Sequence, residues 1–174
     1  MKYLNEMLKW NKENDYIINQ DIKRQIQKQI RIHKIYIYRL DRVEQFIDFT
    51  ESNFMLTTGD LKPIILLPTQ KWWIELMLGY DMLNEQGEQV QLVNEVFLNV
   101  GRGTGKSSLM ATRVLNWMLL SGQFGGESQV IAYDNNQAKH VYEQVKNQAK
   151  ASPLLSELSD NNQFKSTKTG LLFQ

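Results

Sequence analysis

Apolar and polar positions alternate along this chain with periods that change several times. Over 18–30, Ile22, Ile26 and Ile30 recur every fourth residue among Lys, Arg and Gln, which predicts an amphipathic helix packing one face on a core or a partner. The first fifteen residues show no clear period, and Ile32, Ile35 and Ile37 blur the pattern around Tyr36-Ile-Tyr38. Leu40, Val43, Phe46, Ile47 and Phe49 predict a second helix ending near Ser52, and Thr57-Thr-Gly-Asp60 predicts a turn. An apolar run over 61–68 closes at Pro68. Thr69 is then placed to cap a helix carrying Trp72, Trp73, Leu76, Met77 and Tyr80, which 84–87 breaks.

Val93, Val96, Phe97, Leu98 and Val100 predict a largely buried strand over 91–99. A glycine-rich stretch follows, then a helix over 108–120 with Leu109, Met110, Val114, Trp117 and Met118 inward. A loop with three glycines (121–128), a short strand (129–133) and a helix (135–151) stopped by Pro153 come next. One further helical turn is expected at 154–158, and a hairpin over 164–173 turning at Lys168-Thr-Gly170. From residue 91 the order strand, glycine loop, helix, loop, strand, helix predicts a parallel α/β arrangement. No internal repeat or low-complexity segment is present.

A length of 174 residues suits one domain or the front part of a larger one. With 42% hydrophobic and 22% charged residues, the chain can build a core and is not a disordered tail. Its apolar runs are too short for a membrane span, and the N-terminus lacks a secretory h-region. The lack of cysteine excludes disulfides and thiolate metal sites and fits an intracellular protein. His33 and His140 lack ligand-like neighbours and are expected at the surface. A net charge of +1 excludes a general polycation, but the charge is uneven. Lys23, Arg24, Lys28, Arg31, Lys34, Arg39 and Arg42 crowd one stretch, with only Asp21 and Asp41 nearby. That stretch is either the solvated face of a helix or a surface that meets DNA phosphates.

The chemistry concentrates in Val100-Gly-Arg-Gly-Thr-Gly-Lys-Ser-Ser108. Glycines 101, 103 and 105 permit the backbone angles that let several N–H groups approach phosphate oxygens closely. The helix that follows points its positive end at the anion. Lys106 would reach the β- and γ-phosphates, and the Ser107 hydroxyl would bind a Mg²⁺ that enters with the nucleotide. Nucleotide contacts are therefore expected from Gly101, Arg102, Gly103, Thr104, Gly105, Lys106, Ser107 and Ser108, with ATP as ligand. The strict G-x-x-x-x-G-K-[ST] pattern has glycine where Val100 stands, a departure that leaves the mechanics intact because Gly101 can make the exit from the strand. Arg102 could lean over the γ-phosphate and stabilise charge in phosphoryl transfer, or make a surface salt bridge; both remain open.

This loop resembles the arginine-bearing Walker A loop of the large subunit of tailed-phage terminases, the ATP-driven DNA-packaging motors. Leu67-Pro-Thr-Gln70-Lys-Trp-Trp with Gly79-Tyr80 is similar to the family's proline–aromatic–glutamine stretch, although Thr69 stands where an aromatic is usual. The segment 129–149, with Ala132, Asp134, Asn136 and Gln137-Ala138, resembles its second strand and Gln-Ala helix, and 36–51 its lead-in helix. Together these cover about residues 30–174. The resemblance implies that Gln70 reads the adenine edge through its amide, and that Lys106 and Arg102 serve catalysis. It implies a P-loop NTPase-type parallel sheet flanked by helices, incomplete here, with a helical N-terminal extension. The expected division is a helical lead-in at 1–60 and the N-terminal portion of a P-loop ATPase domain at 61–174.

The implied partners are double-stranded DNA, the terminase small subunit, the portal protein and further copies in a homo-oligomeric ring, acting in the bacterial host's cytoplasm without a membrane. No apolar strand after Ser108 ends in Asp-Glu, and Asn135 after Tyr133-Asp134 offers no base. The expectation is thus a piece of a terminase large subunit, without Walker B or the nuclease domain, that binds ATP or ADP and does not turn it over alone. A different P-loop ATPase of the helicase or AAA kind, or a nucleotide-binding interaction module without turnover, are the alternatives.

Overall fold

The computed structural model describes residues 1–57, 59–120, 128–131, 135–155, 165–167 and 170–173. The expected glycine loop from 121, the positions Ala132, Tyr133 and Asp134, most of the 154–158 turn, and Lys168-Thr169 lie outside them. The chain divides into two compact units, one made of Met1–Ile47 and Leu66–Phe97, the other of Asp48–Ile65 and Leu98–Gln174.

The first unit opens with α1 (Lys2–Glu13), where the sequence shows no clear period. Its buried residues are Tyr3, Leu4 and Met7, a stripe too short to register as a repeat. A helix of this length is marginal alone; docking stabilises it. Leu4 and Met7 close on Trp72, with Leu8, Ile22, Ile26, Trp73 and Leu76 packed around them. In α2 (Gln20–Ile35) Asn19 caps the start, its Oδ1 accepting from Ile22 N at 2.9 Å. Ile22 and Ile26 face inward as expected, but Ile30 is 38% exposed and Gln29 is buried instead. A four-residue repeat advances about 40° per step around a 3.6-residue helix, so the third isoleucine has rotated off the inner face.

A short β1 (Ile37–Tyr38) leads to α3 (Leu40–Asn53), the second expected helix, which starts in the first unit and ends in the second. The next helix, α4 (Pro68–Leu78), begins one residue before the expected cap: Leu67 holds the N-cap position, and Gln70 Oε1 accepts from Leu67 N at 2.9 Å. Thr69 lies inside the first turn. The helix also stops before Tyr80, because Gly79 closes it with its N–H on Glu75 O. A Cβ at Gly79 would lie 2.5 Å from that carbonyl, so only glycine fits. Tyr80 instead begins β4 (Tyr80–Leu83), which pairs antiparallel with both β1 and β5 (Gln89–Gln91). Asn84 fixes the β4–β5 turn, its Oδ1 accepting from Gln86 N and Glu88 N.

Two acids organise this unit. Glu75 is fully buried and accepts from Tyr3 N, Leu4 N, Gln29 Nε2 (2.9 Å) and Tyr38 OH. The terminal ammonium of Met1 stands 3.9 Å away, so an acid of α4 satisfies the open amides at the start of α1. Gln29 extends the network, receiving the Trp72 indole N–H at 2.7 Å and donating to Tyr80 OH. Asp81, also buried, accepts from Arg42 at 2.6 and 2.7 Å, from Arg39 at 3.0 Å and from Gln89 at 2.8 Å.

In the second unit β2 (Met55–Leu56) pairs antiparallel with β3 (Lys62–Pro63). The helices α5 (Lys106–Leu120) and α6 (Asn135–Ala151) pack together, α6 agreeing with its expected bounds. Their buried residues are Leu109, Ala111, Thr112, Leu115 and Asn116 on α5, and Ala138, Tyr142, Val145, Gln148 and Ala149 on α6. The expected inward residues Met110, Val114, Trp117 and Met118 are half-buried. The small ridge of Ala111 and Thr112 admits α6, and Asn116 turns inward because its amide donates to Thr50 Oγ1 and Thr112 O. The expected C-terminal hairpin is present as β7 (Lys165–Thr167) and β8 (Gly170–Phe173), with β6 (Ser128–Val130) on the other side of β8.

The class is mixed α/β, but every described strand pairing is antiparallel. Of the expected buried strand 91–99, only Gln91 is paired; Val96 is 51% and Phe97 93% exposed. Leu92 N still donates to Tyr80 O of β4, but no described strand runs alongside 93–100, and strand backbone without a neighbour has no ladder for its N–H and C=O groups. No described helix is long and apolar enough to cross a membrane.

Candidate functional site

The glycine-rich stretch sits in the second unit as a compact turn that runs straight into α5. Gly103 and Gly105 have φ of +80° and +77°, the left-handed region that side-chain-bearing residues resist. A Cβ at Gly101 or Gly103 would meet nothing within 4 Å, so the space beside the loop is open. At Gly103 the backbone angle, rather than crowding, calls for glycine. The Gly101 carbonyl collects two donors from across the turn, Thr104 Oγ1 at 2.9 Å and Lys106 Nζ at 3.3 Å. These bonds fold the lysine back along the loop and pin the turn.

α5 starts at Lys106, and Leu109 N donates to Gly105 O at 2.9 Å to close the first turn. The N–H groups of Lys106, Ser107 and Ser108 precede that bond and have no acceptor within the helix. No acidic side chain occupies the first turn, so no carboxylate of the helix itself neutralises its positive end. Arg102 and Ser107 are exposed; Thr104, Gly105, Lys106 and Ser108 are half-buried. The sequence-predicted residues from Gly101 to Ser108 thus share one surface turn with open amides, a flexible cation and a hydroxyl. That donor set suits a polyanion. Among the described residues no group of three or more His, Asp or Glu could hold a metal ion by itself.

Gln70 belongs to the first unit, on the first turn of α4. Its Oε1 holds the Leu67 N–H. Trp72 is a core residue with its indole committed to Gln29, and Trp73 packs against the same cluster. His140 is exposed as expected, but His33 is not a plain surface residue. Its ring lies edge-on to Tyr38 at 4.9 Å, and its Nδ1 is buried without a hydrogen bond. Burial and the nearby terminal ammonium lower its pKa.

One residue near the loop escaped the sequence pattern. Gln148 of α6 is fully buried, its Nε2 donating to Ser108 O at 3.4 Å while its Oε1 has no partner. The legible signal was its position three residues after Val145, on the same stripe as Ala138, Tyr142 and Ala149. A polar residue on an otherwise apolar stripe marks a buried hydrogen-bonding role.

Residues 68–173 match the family model of the terminase large subunit, ATPase domain. The chain is 66% identical over 173 residues to the terminase large subunits of Lactococcus phage p2 and Lactococcus phage SK1, covering 99% of this chain and 32% of each relative. It therefore spans about a third of the length of these curated relatives. No solved structure gives a significant match. With the family model covering more than half of it, the chain belongs to the terminase large subunit family, and residues 68–173 to the ATPase domain of that family.

Proposed function

We propose that residues 101–108 bind the triphosphate of Mg²⁺-ATP and that the chain is the nucleotide-binding part of a motor driving double-stranded DNA into a procapsid. The single observation that carries this is the pair of left-handed glycines leading into a helix whose first turn holds Lys106, Ser107 and no acid. Lys106 exchanges its bond to Gly101 O for the β- and γ-phosphates. The Ser107 hydroxyl contributes one ligand to the Mg²⁺ that arrives with the nucleotide, and Arg102 faces the γ-phosphate. Bound Mg²⁺ supplies screening of the phosphate charge.

The family membership supports the wider proposal. Residues 1–60 form a helical lead-in and 61–174 the front of a P-loop ATPase domain of the parallel-sheet type. The partners are DNA, the small subunit, the portal and other copies in a ring, working in the host cytoplasm. Titration of the chain with ATP and Mg²⁺ by calorimetry tests the site. Lys106→Ala removes a charge-assisted contact worth about 1.5–3 kcal/mol, so affinity falls by about tenfold to a hundredfold, while loss of the exposed bond to Gly101 O lowers the melting temperature only slightly. Undiminished binding in that variant would refute the assignment.

A further inference from the structure

The helix α2 carries five cations and one carboxylate along 16 residues. The whole chain has a net charge of +1, so α2 at +4 leaves the remainder net acidic at −3. The structure shows how these charges are placed. Ile22 and Ile26 pack against the Leu4–Met7–Trp72 cluster, and Gln29 is buried, which fixes the inner face of the helix. Lys23, Arg24, Lys28, Arg31 and Lys34 are all exposed. Helical geometry turns them to the opposite side, where they span about 16 Å along the axis with Gln20 and Gln27 among them. Among the described residues the ion pair recorded for these five is Arg24 with Asp21 at 3.2 Å, a pair exposed on both sides and of little worth. The nearby Arg39 and Arg42 behave differently: both are spent on the buried Asp81.

We propose that the outward face of α2 is a docking surface for the phosphate backbone of duplex DNA. Three features select this partner. Duplex DNA presents a charge about every 1.7 Å of axis, so a face of this length meets several phosphates at once. Protein interface cores favour aromatic residues and disfavour lysine, whereas this face holds three lysines and no aromatic. A helix lying on an anionic membrane would need a continuous apolar side for the lipid, and here Ile22 and Ile26 are packed into the core, leaving only Ile30 and Ile35 exposed. The surface makes no base contacts, so it binds without regard to sequence. The proposal rests on the packaging reading for its biological sense, but not on the nucleotide site.

The test is fluorescence anisotropy of the 174-residue chain with a mixed-sequence duplex over a salt series, without nucleotide. Five phosphate contacts predict that log affinity falls with log salt with a slope of about −4.5. Lys28→Glu with Arg31→Glu lowers affinity by at least about tenfold and makes the slope shallower by about two. Lys28→Gln with Arg31→Gln gives a smaller loss in the same direction and guards against misfolding of the reversed variant. The control, Lys139→Glu with Lys150→Glu on exposed positions of α6, changes net charge equally and leaves most of the binding intact. Equal losses in the α2 and α6 variants overturn the proposal, as does wild-type chain that ignores DNA at low salt. Polyglutamate that competes better than unlabelled duplex also overturns it, by pointing to an acidic protein partner. Because the assay contains no ATP, failure of the Lys106 titration and failure here are separate results.

Discussion

The two units treat their polar groups differently, although the first also holds one buried atom without a hydrogen bond, His33 Nδ1. In the first, Glu75 and Asp81 are buried and saturated: one gathers backbone, amide and phenol donors, the other two guanidinium groups and an amide. In the second, the first amides of α5 have no acceptor within the helix, and Asn116 Oδ1, Gln148 Oε1 and Ser152 Oγ are buried without hydrogen bonds. A saturated buried acid holds a fold together, since each donor would be costly to leave unmet. An unsaturated turn at the surface leaves its donors open to an acceptor from outside the fold. The acids of the first unit therefore read as architecture, although a search by residue type alone would shortlist them as chemistry.

The sharpest way to break this contrast is Glu75→Leu. Removing the acceptor strands the Gln29 amide, the Tyr38 hydroxyl and two backbone N–H groups of α1, and costs about 3 kcal/mol or more in urea unfolding. If Glu75 is architecture, ATP affinity of the folded fraction stays at the wild-type value. Loss of nucleotide binding without loss of stability would make it a site residue instead.

Acid titration of stability sharpens the comparison next. Burial pushes the Asp81 carboxyl up, but hydrogen bonds from Arg42, Gln89 and Arg39 and the charge of Arg42 outweigh it, and its pKa falls below the ordinary value. Such a group contributes stability that is full above the unfolded pKa of about 3.9 and is lost as pH falls through the folded value. His33, lowered mainly by burial, works in the same direction at higher pH: the unfolded chain takes its proton first, so stability drops as pH falls below about 6.5. His33→Gln flattens the curve between about pH 6.5 and 5, and Asp81→Asn flattens it below about pH 4. Melting temperatures across pH 3–8 decide both; a His33→Gln profile that overlays the wild type would remove the histidine from this account.

The smallest expected effect is Gln148→Met. It keeps the volume, deletes an unpaired oxygen and gives up one long bond to Ser108 O, so stability shifts by less than about 1 kcal/mol. The informative readout is ATP affinity, which weakens by a few-fold if Gln148 steadies the first turn of α5 and stays unchanged if it only fills space.

Helices with a clean apolar stripe were legible in the sequence: α3 and α6 agree with their expected spans, and the expected pairing of strands within 164–173 is present as β7 and β8. The glycine turn and its helix were legible too, because positive-φ glycines and a following Lys-Ser are local requirements that no distant contact has to supply. α1 was not, since its stripe is short and its stability comes from Trp72, far along the chain. Nor was the end of α4, where Tyr80 suits a helix or a strand and the close approach of Gly79 to Glu75 O decides. The sequence by itself therefore determined the family, the glycine-rich turn into a helix and the crowding of cations near α2. Tertiary structure alone decided which of those cations are consumed by Asp81 and which remain outward. It also decided that Glu75 and Gln29 are buried, and that Gln148 reaches Ser108. The physical reason is that backbone angles and periodicity are written in neighbouring residues, whereas burial and the pairing of charges depend on what the fold brings near.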